Sequence, residues 1–232
     1  MGGPHRPFPT TRHSLIVSAA GTGTLAREAL DAVAAVYWKP AYKHIRIQWK
    51  RSNEEAKDLV QGFFAALIEQ QILAGFDASK GRFRTYLKGC LDHFVMKQDE
   101  HATRLKRGGG ATMLCDFEAA EREISGAPSV EDTFLREWQR QMFALGLEDL
   151  RAYCQAAGKG LQYAIFAQYD LADGGRPSYA GLARKHGIPT TSVTNHLAWA
   201  RRELRHRVLL RLSSVTSGDP ECRAESRVLF GK

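Results

Sequence analysis

Cysteine is scarce and scattered. Cys90, Cys115, Cys154 and Cys222 stand far apart and form no CxxC pair, which argues against a zinc site or a disulfide framework. Reduced thiols in a cytoplasmic protein are therefore expected. Long apolar runs are also lacking: the patch at residues 15–20 is too short for a membrane span and poor as the core of a signal peptide, so neither export nor a membrane partner is expected. Strand-type alternation is almost absent. So are the common catalytic signatures: there is no HExxH, no paired acidic motif, no serine elbow and no metal-spaced histidine cluster. His93, His101, His186, His196 and His206 are scattered and read as ordinary helix residues. No enzyme is expected, and no catalytic residue, metal or cofactor is assigned.

What is present is basic charge and helical periodicity. The chain has 232 residues, 44% of them hydrophobic, enough for one large or two small domains. Lys plus Arg outnumber Asp plus Glu by 33 to 25, a formal net charge of +8, so polyanionic partners come forward, nucleic acid first. A merely soluble basic protein is the competing reading of charge alone.

Apolar residues recur at helical spacing through most of the chain, which predicts an all-α protein. Leu25, Ala29, Leu30, Val33, Val36 and Tyr37 make a first stripe, which Pro40 should kink or end. Ser52 with Glu55 three residues on forms a capping box that opens a second helix, expected to run to about Leu73. Its buried face reads Ala56, Leu59, Val60, Phe63, Phe64, Leu67 and Ile68. Residues 75–80 read as a turn, and Gly81 opens a third helix with Phe83, Tyr86, Leu87, Cys90, Leu91, Phe94 and Val95 on one side.

Residues 108–128, beginning with Gly108, Gly109 and Gly110, have no clean period and read as an interdomain linker. A phosphate-binding loop would need a preceding strand and a following GK[ST], and neither is there. Helical patterns resume over 129–157 and 161–169 and end in a loop at 173–177. Residues 213–220 read as a turn-rich break, and 213–232 as a disordered tail.

Residues 178–212 have the pattern of a helix-turn-helix. Tyr179, Leu182 and Ala183 pack the first helix, Gly187 permits a tight turn and Ile188 plugs it. The second helix is entered through Pro189, and the hydroxyls of Thr190, Thr191 and Ser192 can cap it. Val193, Leu197, Ala200 and Leu204 form its inner stripe. Thr191, Asn195 and Arg202 fall on the outer face, flanked by Ser192, Thr194, Trp199 and Arg205. Such a face suits a major-groove reader, with hydrogen-bonding side chains near the helix start and arginines further along for phosphates. An amphipathic surface helix whose polar side meets only water is the alternative.

Two further segments raise a family resemblance. Asp58-Leu59-Val60-Gln61 with Phe63-Phe64 resembles the D-L-x-Q-x-x-F signature of sigma region 2. Phe76-Asp77 followed by Gly81-Arg82-Phe83-Arg84-Thr85-Tyr86-Leu87 resembles its F-D-x-x-x-G-x-F-R-x-W-L element. Residues 178–205 resemble sigma region 4, with Tyr179, Ala183, Gly187, Ile188, Val193, Leu197, Ala200, Arg201 and Leu204 at matching positions. The chain thus resembles RNA polymerase sigma factors of the extracytoplasmic-function (ECF) type over about residues 24–107 and 131–212. Phe8-Pro9-Thr10-Thr11-Arg12 and Lys106-Arg107-Gly108-Gly109-Gly110 are similar to a planctomycete and acidobacterial branch. Gly62, Tyr86, Gly181, Leu182 and Thr194 depart from the usual Asp or Glu, Trp, Glu, Ile and Lys.

The resemblance implies two helical domains joined by a flexible linker. The extension covers 1–23, a region 2-like bundle 24–107, the linker 108–128, a region 4-like helix-turn-helix domain 129–212 and a tail 213–232. It implies that region 2 binds the clamp helices of core RNA polymerase and melts the −10 element of promoter DNA, and that region 4 reads the −35 element. An anti-sigma factor or other regulator is a further partner of the kind it allows. Asp58, Leu59, Gln61 and Phe64 are the expected polymerase contacts; Asp58 and Gln61 lie off the apolar stripe on the helical wheel. Arg84 and Lys88, one turn apart, with Arg104, Lys106 and Arg107, are expected to meet promoter phosphates, a solvated basic face being the alternative. The competing function is a helix-turn-helix transcriptional regulator that does not bind core polymerase.

Overall fold

The computed structural model describes residues 24–69, 72–106, 131–172 and 174–231, apart from the side chains of 24–26, 103–106 and 131–132. The expected extension at 1–23 and linker at 108–128 lie outside the described residues. The described residues form an all-α structure of eight α-helices without a strand. In order these are α1 (Thr24–Gln48), α2 (Asn53–Glu69), α3 (Phe83–Lys106), α4 (Glu131–Ala156), α5 (Gly160–Asp170), α6 (Tyr179–His186), α7 (Thr190–Ser214) and α8 (Asp219–Phe230), with a 3₁₀ turn at Ile72–Gly75. None of these helices is long and apolar enough to cross a membrane.

Two compact units divide the chain. One comprises Met1–Gln141 with Leu212–Lys232, the other Met142–Arg211. The division therefore falls inside α4 and α7, and groups 131–141 and 212–232 with the amino-terminal helices.

In the first unit, α1 buries Ala29, Val33, Val36, Tyr37, Ala41 and Ile45. Pro40 does not end this helix, which runs on to Gln48. A proline inside a helix removes one hydrogen bond and costs ~3 kcal/mol. Here the buried stripe stays in phase on both sides of it, so burial of Ala41 and Ile45 offsets the defect. The capping box of α2 forms in both directions: Ser52 N–H donates to Glu55 Oε2 at 2.9 Å, and Glu55 N–H to Ser52 Oγ at 3.3 Å. These bonds from Ser52 hold the Glu55 carboxyl below its ordinary range.

The inner face of α2 is narrower than its periodicity suggested. Ala56, Val60, Phe63, Ala66 and Leu67 are buried, Leu59 and Phe64 are half-buried, and Ile68 is 58% exposed. From α3, Phe83, Leu87, Leu91 and Val95 complete the core, with Tyr37 edge-on to Phe83 at a centroid distance of 5.8 Å. The start of α4 joins this unit through Phe134 and Trp138, both buried, and through Gln141 Nε2, which donates to the Ala35 carbonyl at 2.9 Å.

The carboxy-terminal residues correct the expectation of a disordered tail. α7 continues through Ser214, and α8 begins at Asp219 with Pro220 in its first turn and ends on Gly231 at φ 70°. Cys222 and Leu229 are buried, and Gln139 Nε2 donates to the Val228 carbonyl at 2.9 Å. An amphipathic helix of this length gains its order from packing one face on a core rather than from propensity.

Candidate nucleic-acid interface

The second unit is organised around α6 and α7. Ser178 caps α6, its Oγ accepting the Gly181 N–H at 3.0 Å. Gly187 ends it at φ 65° and ψ 34°, the left-handed region that costs a side-chain-bearing residue ~1–2 kcal/mol. This lets the Ile188 N–H reach back to the Ala183 carbonyl at 3.0 Å. α7 restarts almost at once: the Pro189 carbonyl accepts from the N–H groups of Ser192 and Val193 at 2.9 and 3.3 Å. Thr190, Thr191 and Ser192 stand inside its first turn, so they line the helix start rather than precede it as caps.

Val193, Leu197 and Ala200 are buried against Leu182 and Ala183 of α6, Leu150 and Cys154 of α4, and Ile165 and Phe166 of α5, with Ile188 and Leu204 packed alongside. The opposite side of α7 is therefore fixed outward. Thr191, Thr194, Asn195, Arg202 and Arg205 are exposed, and Ser192 is half-buried beside them. Trp199 leaves this set: it stacks on Tyr153 at 6.5 Å, with Lys159 Nζ 5.2 Å over its ring, and packs on the core. On the wheel it borders the outer face, but Tyr153 comes from a distant part of the chain and draws the indole inward.

The arginines of α7 divide by their partners. Arg201 forms a two-pronged bond to Asp170 at 2.9 Å on both arms, which holds its pKa above the ordinary arginine value. Arg207 is bound by Glu203 at 2.6 Å, its guanidinium 4.1 Å over the Tyr153 ring, and Arg211 by Asp149 at 2.7 Å. These tie α7 to its neighbours. Arg202 has no carboxylate partner among the described residues and extends from the outer face. No acid occupies the first turn of α7, so the positive end of the helix dipole is left uncompensated there.

Exposed Arg184 and Lys185 end α6, and exposed Arg176 lies 5.5 Å over the Tyr169 ring; these cations stand outside the set expected to meet DNA. A basic last turn just before a tight turn was the available signal. Together they give the unit further groups suited to phosphates.

The first unit holds the other expected sites. Asp58 and Gln61 are exposed on α2, flanked by half-buried Leu59 and Phe64, and exposed Ile68 extends the same side. Ile68 belongs to this face and not to the core.

Arg84 is corrected: it is 5% exposed, its guanidinium 5.1 Å over the Trp138 ring and 3.4 Å from Glu225 Oε1, so it does not face solvent as a phosphate contact would. Lys88, the second residue of that pair, is half-buried and donates to Asp92 Oδ2 at 2.9 Å. Arg104 and Lys106 stand at the end of α3, their side chains outside the described residues, as is all of Arg107. Among the described residues no group of His, Cys, Asp and Glu is arranged to hold a metal ion.

No family model, curated protein or solved structure matches the chain.

Proposed function

We propose that this chain is an ECF-type RNA polymerase sigma factor, which binds core polymerase and directs it to promoter DNA. The observation that carries the DNA-binding part is the outward face of α7. Hydroxyls and the Asn195 amide stand at its start, and Arg202 and Arg205 stand further along, on the second helix of a pair joined through Gly187. A helix so furnished can place amide and hydroxyl groups on base edges and guanidinium groups on phosphates.

The polymerase-binding part rests on α2, where Asp58 and Gln61 stand exposed beside partly exposed Leu59 and Phe64 and exposed Ile68. A polar pair flanked by apolar side chains is the composition of a protein contact with a small hydrophobic centre.

The test is transcription reconstituted with core polymerase from the source organism, followed by sequencing of the transcript starts. A defined set of starts that core polymerase alone does not use is the expected result. DNA binding without association with polymerase would replace this reading by that of a helix-turn-helix regulator.

A further inference from the structure

At the amino-terminal end of α3, the chain's own carboxylates occupy a place suited to an external anion. Glu221 Oε1 accepts the Phe83 N–H at 2.5 Å, the first residue of α3, while its other oxygen accepts the Ser217 N–H and hydroxyl at 2.7 and 2.6 Å. Glu225 lies one turn along α8, 1% exposed, 3.4 Å from Arg84 and 3.8 Å from Arg82. Free helix N–H groups and guanidinium groups together make an anion-binding arrangement.

Glu221 is held by short bonds, but Glu225 fits its place poorly. Arg84 Nε is buried without a hydrogen-bond partner, and the contacts from Arg84 to the Glu225 oxygens are long, 3.4 and 3.5 Å. Burial pushes the Glu225 carboxyl above its ordinary range; Arg84 and Arg82 oppose this, and Glu221 adds repulsion. The carboxylate is thus less well solvated here than in water, so releasing it recovers hydration.

We infer that α8 is an autoinhibitory latch, in which Glu221 and Glu225 stand in for successive phosphates of a nucleic-acid strand. Displacing α8 opens the start of α3 and buried Arg84 to the DNA backbone, and frees the already exposed Arg82 from Glu225. Two carboxylates one turn apart on a single helix are matched by linked phosphates of a polymer rather than by one free phosphate ion. The inference rests on the DNA-binding reading above and assigns it a second, masked contact.

The experiment compares the full chain with its Glu221→Gln/Glu225→Gln variant, both shown to be folded by circular dichroism, binding a random-sequence duplex at several salt concentrations. The variant should bind roughly tenfold more tightly and show a salt slope steeper by about two, one for each released arginine. Adding Arg84→Ala should remove most of that gain. A folded variant with unchanged affinity and slope overturns the latch. If the variant does not fold, hydrogen exchange on the unmodified chain decides: the amides of 221–230 should lose protection when excess duplex is added, and unchanged protection overturns the inference.

Asn195→Ala and Arg202→Ala chains in the same assay separate the two claims. If they weaken binding while the glutamine variant gains nothing, the latch falls and the α7 reading stands. If they do nothing while the glutamine variant gains affinity through Arg84, the α7 reading falls and the latch stands.

Discussion

Gly146 of α4 stands so close to Val208 of α7 that a β-carbon on it would lie 2.4 Å from the valine Cγ2. The glycine is what allows these two helices to meet at that point, and the contact sets the position from which α7 presents its outer face. Gly146→Ala should therefore destabilise the second unit by about 1–3 kcal/mol, as overpacking does. Val208→Ala in the same chain should recover part of the loss. Denaturant unfolding of the single and double variants checks this; additive losses would mean that the close approach is not what the methyl group disturbs.

A second prediction concerns acid stability. Asp92 accepts from His44 Nε2 at 2.6 Å, Trp49 Nε1 at 2.9 Å and Lys88 Nζ at 2.9 Å. Burial alone would raise its pKa, but the bond and charge of His44, with those of Lys88, outweigh it and hold the carboxyl at about 2. Because the folded value lies below the unfolded value of 3.8, this carboxylate stabilises the fold above that pH, and the contribution is lost as pH falls toward 2. The loss should be about 2 kcal/mol. Asp92→Asn should lower stability at neutral pH and flatten the profile below pH ~4; an unchanged acid limb would show that Asp92 does not carry it.

Much of this was legible in the sequence wherever the controlling contacts are local. The capping box Ser52–Glu55, the left-handed Gly187 and the opposition of Val193, Leu197 and Ala200 to Asn195 all depend on neighbours within a few positions. What escaped depends on partners far along the chain. Arg84 reads as a surface cation until Glu225, 141 residues away, closes on it. Trp199 reads as outward-facing until Tyr153 stacks with it. Ile68 fits the apolar stripe of α2, yet the stripe outlasts the surface it packs on. The order of 219–230 was hidden for the same reason, since its apolar face has meaning only against the helices it covers.

A third prediction separates the roles along α7. Asn195 lies near the helix start, where an amide can pair with a base edge at a discrimination of ~1–3 kcal/mol, so Asn195→Ala should relax preference at one or two positions of the promoter. Arg202→Ala and Arg205→Ala should weaken binding to all sequences alike and reduce the salt slope by about one each. A promoter library measured at several salt concentrations reads both effects. An arginine variant that alters base preference while Asn195→Ala does not would reverse the assignment.

The most direct measurement of the central claim is the affinity of the chain for core RNA polymerase, with the Asp58→Lys/Gln61→Ala variant alongside. Both side chains are exposed on α2, so the variant should keep its helical content and melting temperature. The proposal predicts specific binding by the unmodified chain and at least a tenfold loss in the variant, a difference of ~1.4 kcal/mol or more. Absence of polymerase binding by the unmodified chain would contradict the proposed function; equal affinity in the two chains would remove the α2 face as its contact.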